Sequence, residues 1–359
     1  MSSRAGHPCL SSNSSAWLTV LSDPGAGLPA PTGRLRAADL RLLTEAASAH
    51  GVMPIVARNL RRLAASGRAA TIVDDVNAQS VVETVSNELE QRILLLAGQS
   101  LLLSRHATDI AAALAREAIA ANIVKGPVFA RRLYPQPADR SFTDIDILVA
   151  PALLASSFKI LARLGFVSAA DHNREGLGHG EYKWLMPGND LILVEIQTNL
   201  IHSPNLGAGI RLCHADLLEA GGGMADDATA LLLVAAVHAA AGHQFERLQP
   251  VIDVLQAARG AAGPIDRKRL IRVAHATGSI VAVQAALDLA AELFHDSSTR
   301  ELADTLIPAP WRRLRRKLIS PRIVLRAQTR LASRDSWRRR AFRETIRRIG
   351  KGTIQPISR

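Results

Sequence analysis

Apolar residues recur at helical spacing along most of this chain and switch to strict alternation only in a short central stretch. From Ala37 to about Ala65 the positions Leu40, Leu43, Ala46 and Ala47 follow the helical period, and Gly51 to Pro54 reads as a turn into a second helix. Asn77 to Ala118 keeps that period over many turns without a proline, which predicts one long helix or a closely joined pair. The texture then changes. Ile123-Val124 is a short apolar piece followed by Lys125-Gly126-Pro127 and a helical stretch from Val128 to Tyr134, a strand, tight turn and helix in succession. In the next segment Asp144, Asp146 and Leu148 alternate with Ile145, Ile147 and Val149, the period-two signal of a strand that Pro151 ends. A helix from Leu153 to Leu164 leads to Phe166-Val167, and AADHNREGLGHGEYKW reads as a Gly- and His-containing loop. After the turn Pro187 to Asp190, Leu191 to Ile196 is a second strong strand, and from Ala225 onward the pattern is helical.

These changes divide an α+β chain into five parts. Residues 1–34, rich in Ser, Gly and Pro without periodicity, read as a disordered leader. An N-terminal helical region follows at 35–118, then a core at 119–210 that holds the strands, a helical domain at 211–310 and a basic tail at 311–359.

Composition narrows the class. A chain of 359 residues, 48% hydrophobic, buries a substantial core. Cys9 and Cys213 are too few for a disulfide framework or a thiolate zinc cage, so a reducing, cytoplasmic setting is expected. The N-terminus lacks the charged-then-apolar order of a signal peptide. The longest apolar run, Ala228 to Ala241, is shorter than the ~20 residues of a bilayer span and reads as a buried helix. The net charge of +12 suggests a nucleic-acid partner until it is located: residues 311–359 hold 17 Lys and Arg against Asp335 and Glu344, and residues 1–310 are slightly acidic. The charge therefore belongs to the tail, which suits contact with nucleic acid or an anionic membrane and equally suits a solvated helix face.

Asp144 and Asp146, two apart on a strand, project from the same face with Cα atoms about 6.6 Å apart. Such a pair is either a solvated strand end or a cradle for one or two divalent ions, since magnesium prefers hard carboxylate oxygens completed by substrate phosphates. The apolar setting, IDILV beside Arg140, favours the cradle, because unpaired charge there is costly. Glu195, near the end of LILVEI, is a third candidate carboxylate if the two strands are neighbours. Lys125 and Gly126, opening a helix, offer a cation and backbone N–H groups to a phosphate, and Arg140 is read as a phosphate clamp. His238, His243 and Asp253 do not read as a metal site, His238 and Asp253 reading as structural instead, and His172 and His179 read as loop residues. P-loop, HExxH and GxSxG motifs are absent from the sequence.

At IVKGPVFARRLYPQPADRSFTDIDILV, LGFV, LILVEIQTNL and the later LLLVAAVHAA and HQFERLQPVIDVLQ, the sequence resembles the uncharacterised bacterial nucleotidyltransferase family within the DNA polymerase β-like superfamily. The resemblance implies a small mixed β-sheet with helices on one side, making 119–210 the catalytic core. It implies transfer of a nucleoside monophosphate from an NTP to a small molecule, sugar, peptide or protein, with magnesium, or alternatively manganese, held by Asp144, Asp146 and Glu195. Lys125 and Gly126 stand where the superfamily binds triphosphate, and Arg140 matches the family's Arg before the aspartates. Two positions depart: KGP lacks the superfamily's Ser, and Gln197 stands where the family tends to show His. Gln197 keeps open the alternative of a catalytically weak nucleotide-binding module docked through its basic tail.

Overall fold

The computed structural model describes residues 10–25, 27–169, 181–306, 309–326 and 336–353. The loop residues His172 and His179 lie outside these. Helices α1 (Ser12–Leu21), α2 (Ala37–Ala49), α3 (Met53–Ala65) and α4 (Ala78–Arg116) precede the strands. The long Asn77 to Ala118 pattern is thus a single helix. Its buried positions Val82, Val85 and Leu89, then Leu103, Ala107, Ile110 and Leu114, step by three and four, as one helix face requires.

The segment read as a disordered leader corrects that reading: α1 is folded, with Ser11 accepting from the Ser14 N–H as its N-cap. Trp17 is 1% exposed and donates its indole N–H to the Gly33 carbonyl at 2.7 Å. Just beyond, both carboxylate oxygens of Asp23 accept from Arg259, at 2.7 and 3.1 Å, tying this end to the C-terminal helices. Composition suggested disorder because a single Trp and a few aliphatics do the anchoring.

The sheet runs β1 (Ala121–Val124), β2 (Ile145–Val149), β5 (Asn189–Gln197), β4 (Glu181–Met186) and β3 (Val167–Ser168) in spatial order, with β2 and β5 parallel and the other neighbours antiparallel. Helix α5 (Gly126–Leu133) follows β1, and α6 (Leu154–Arg163) follows β2. The stretch EYKW, read as the end of a loop, is β4. Its alternating aromatics Tyr182 and Trp184 pack on Phe158 of α6, with ring centroids 5.0 and 5.4 Å away.

Alternation gives the sheet two different faces. Ile145, Ile147 and Val149 of β2 with Ile192, Val194 and Ile196 of β5 face α6 and the second half of α4 in one apolar cluster. Asp146 on β2 and Glu195 and Gln197 on β5 have the opposite parity and look toward the C-terminal helices. Those helices are α7 (Pro204–Gly207), α8 (His214–Ala220), α9 (Ala228–Val237), α10 (Leu248–Ala258), α11 (Arg267–Ala276), α12 (Ile280–Phe294) and α13 (Ser297–Asp304). Every residue of α9 is buried, and it passes into a π-helical turn at His238–Gly242. Among the described residues no helix is long and apolar enough to cross a membrane.

The basic segment forms α14 (Ala309–Leu318), α15 (Pro321–Leu325) and α16 (Trp337–Thr353). It packs on the body: Phe342 and Ile346 are buried in the main core, and buried Arg315 pairs with Asp288 and Glu292.

Candidate active site

The turn between β1 and α5 sets the floor of the site. Lys125 caps α5 with φ +56°, a backbone region that a residue with a Cβ enters only when its surroundings enforce it. At Gly126 a Cβ would meet the Asp144 carbonyl and the Phe142 ring at 3.3 Å each, so the turn lies directly against the start of β2.

The parallel pairing of β2 and β5 sets Asp146 opposite Glu195. This register is what periodicity leaves open, and it brings Asp144, Asp146 and Glu195 into one cavity of about 550 Å³ with Lys125 and Gly126. The β4–β5 pairing adds Lys183 opposite Glu195. Lys125 Nζ lies 2.7 Å from Asp146 Oδ1, and Lys183 Nζ lies 3.1 Å from Glu195 Oε1 and 3.5 Å from Glu181 Oε1. Burial, then the charge of Asp146, raises the Asp144 carboxyl against the pull of Lys125. Burial, then the charges of Asp146, Glu181 and Asp144, pushes Glu195 up to about 8. Burial alone would lower Lys125, but Asp146 overrides it and keeps the ammonium charged.

Gln197, fully buried, donates from Nε2 to Asp146 Oδ1 at 2.8 Å and contacts His202 Nε2 through its own carbonyl oxygen. The other ring nitrogen of His202 pairs with Glu181. Although burial pushes Glu181 upward, the His202 contact wins and holds it down to about 2. A chain of contacts therefore runs from Glu181 through His202 and Gln197 to Asp146.

Arg140 is placed differently from its reading as a phosphate clamp. It lines the cavity, yet its guanidinium is buried and held bidentately by Asp253, Nε to Oδ1 at 2.8 Å and Nη2 to Oδ2 at 2.9 Å. Nη1 reaches the Gly126 carbonyl at 3.4 Å, and Tyr134 donates its hydroxyl to Asp253 at 2.7 Å. Arg140 thus braces the turn against α10, and Asp253 has the structural role expected of it. His238 and His243 meet edge-to-face at 4.5 Å and line the same cavity. Burial, then His243, holds His238 well below its ordinary range, so it is neutral.

Lys183, Glu181, His202 and Arg343 were missed by the sequence reading, and all four line the cavity. Counting back across the Pro187 to Asp190 turn would have paired Lys183 near Glu195. For Arg343 the only local signal is the apolar spacing of Phe342, Ile346 and Ile349 on a basic helix.

A helix-flanked mixed sheet with carboxylates on adjacent parallel strands, above a strand–turn–helix, defines a nucleotidyltransferase core. The chain belongs to the uncharacterised nucleotidyltransferase family, whose model matches residues 36–295. No curated protein and no solved structure gives a significant match.

Proposed function

We propose that this chain transfers a nucleoside monophosphate from a magnesium-bound NTP to an acceptor hydroxyl. The observation that carries the reading is the register of Asp146 against Glu195, with Asp144 and the Lys125-Gly126 turn in the same cavity. Among the described residues no group of three or more His, Cys, Asp or Glu side chains is placed so that it could by itself hold a metal ion. The donor chemistry suits magnesium once substrate phosphates add their oxygens: Asp144, Asp146 and Glu195 are three hard carboxylates, Glu195 being raised first by burial and then by the charges of its neighbours. Asp144, Asp146 and Glu195 would hold the ion. Bound there, it supplies neutralisation of the charge that develops on the departing pyrophosphate.

The protein's own groups account for the remainder. Backbone N–H groups at the α5 N-terminus and the Lys125 ammonium attract the triphosphate. Gln197 fixes the orientation of Asp146, and Glu195, which lines the cavity, accepts the proton of the acceptor hydroxyl. Pyrophosphate release measured with a mixture of NTPs and acceptor extracts tests the reading, with the Asp144→Asn chain as the blank.

Two further outcomes are expected. Gln197→Ala removes the hydrogen bond that orients Asp146, so magnesium affinity or turnover falls about 10- to 100-fold, the usual cost of losing a supporting hydrogen bond; unchanged values would show that Gln197 does not orient the ligand. The second concerns pH. Glu195 sits at about 8 in the folded, metal-free chain against an ordinary 4.5, so its proton-linked stability is complete below about 4.5 and disappears as pH rises through about 8. Magnesium competes with that proton. The rise in melting temperature on adding magnesium therefore grows with pH up to about 8 and then levels off, and Glu195→Gln flattens this dependence. A magnesium effect independent of pH in the native chain contradicts the assignment of Glu195.

A further inference from the structure

We propose that Arg343, on the basic helix beyond the family match, binds the polyphosphate of the nucleotide, so that the C-terminal segment completes the pocket. The proposal rests on the nucleotidyl-transfer reading and adds a residue to it.

Helix α16 is anchored on both sides of Arg343. At one end buried Arg339 donates to the carbonyls of Gln244 at 3.0 Å and Phe245 at 3.2 Å, two residues held in left-handed backbone just after the π-helical turn. Phe342 packs on Phe245 with ring centroids 5.6 Å apart. Toward the other end the helix backbone touches the link between α7 and α8: a Cβ on Gly209 would lie 2.3 Å from the Arg347 carbonyl, and one on Gly350 would lie 2.1 Å from the Gly209 carbonyl. Between these anchors Arg343, one turn after Arg339 and on the same side of the helix, lines the cavity.

The other cations of the cavity are engaged. Lys125 is held by Asp146, Lys183 by Glu181 and Glu195, and Arg140 by Asp253. Arg247 also has a partner. The acid adjacent to Arg343 on its own helix, Glu344, is taken by Arg347 and Arg348 at 2.8 and 2.6 Å. Among the described residues the Arg343 guanidinium has no hydrogen bond or ion pair. A guanidinium presents a planar fork that matches two oxygens of one phosphate. The same cavity already offers the Lys125-Gly126 turn to an anion, and Arg343 supplies a second hold from a different element.

The test is isothermal titration of the full-length chain with magnesium tripolyphosphate, comparing the native protein with Arg343→Ala, Arg343→Lys and, as a control for the general field of the basic helix, exposed Arg348→Ala. Arg343→Ala is expected to weaken binding about ten- to a hundredfold, the effect of removing a charged hydrogen-bond donor. Arg343→Lys is expected to recover part of it, and Arg348→Ala to stay within about twofold. Equal binding by native and Arg343→Ala chains overturns the proposal, as does an equal loss in Arg348→Ala or a native chain that binds no tripolyphosphate. Melting curves verify that the Arg343 variants are folded, and the Lys variant carries the test should Arg343→Ala not be. Pyrophosphate release separates the two claims. Arg343-dependent binding without release supports Arg343 and overturns the transferase reading; release with binding indifferent to Arg343 does the reverse.

Discussion

Asp144→Asn is expected to lower nucleotide transfer by about a thousandfold or more while leaving the chain folded, an effect on the scale of losing a principal electrostatic contact in a transition state. The two consequences have the same cause. Asp144 is half-buried beside Asp146, and burial together with that neighbouring charge already raises its carboxyl above the ordinary range, so the folded chain gains nothing from its ionisation. Removing the charge relieves repulsion in the metal-free protein. The melting temperature should hold or rise, the pattern of a site that gives up stability for function. Pyrophosphate release and a thermal melt on the same preparation check both halves. Native-level turnover in the variant would remove Asp144 from the site, and a large drop in melting temperature would make it a structural residue.

Asp253→Ala should destabilise the fold by about 3–5 kcal/mol, because it leaves a buried guanidinium without its counter-charge. Arg140 and Asp253 are both buried and joined by two hydrogen bonds, and the same carboxylate accepts from Tyr134. The loss should reach the site as well. Arg140 also contacts the Gly126 carbonyl, so the turn proposed to receive phosphate loses its brace to α10. Chemical denaturation measures the first effect and NTP affinity the second. A change below about 1 kcal/mol would mean that solvent or a neighbouring group replaces Asp253.

Local patterning made part of this legible. The strand, turn and helix around Lys125-Gly126 and the alternating IDILV strand need only neighbours within a few residues, and both occur where the pattern puts them. Strand pairing is a tertiary fact. Asp146 faces Glu195 because β2 and β5 are neighbours in parallel register, although the two residues are 49 positions apart with α6 and the β3–β4 strands between them. Arg140 shows the opposite hazard: closeness in sequence to Asp144 suggested a phosphate contact, whereas its partner Asp253 lies 113 residues away on α10. The basic segment misled through composition, since its arginines conceal the Phe342 and Ile346 stripe that seats α16 in the core. Gln197 acquires a physical role only in three dimensions, as the link between Asp146 and His202.

The position of the label decides the central claim. With NTPs labelled at the α-phosphorus, magnesium and fractionated acceptor extracts, the native chain should move label onto an acceptor with one pyrophosphate released for each transfer, and Asp144→Asn should move none. Transfer of label to the acceptor from a parallel preparation labelled at the γ-phosphorus instead, or nucleotide binding without pyrophosphate in every fraction, would contradict it.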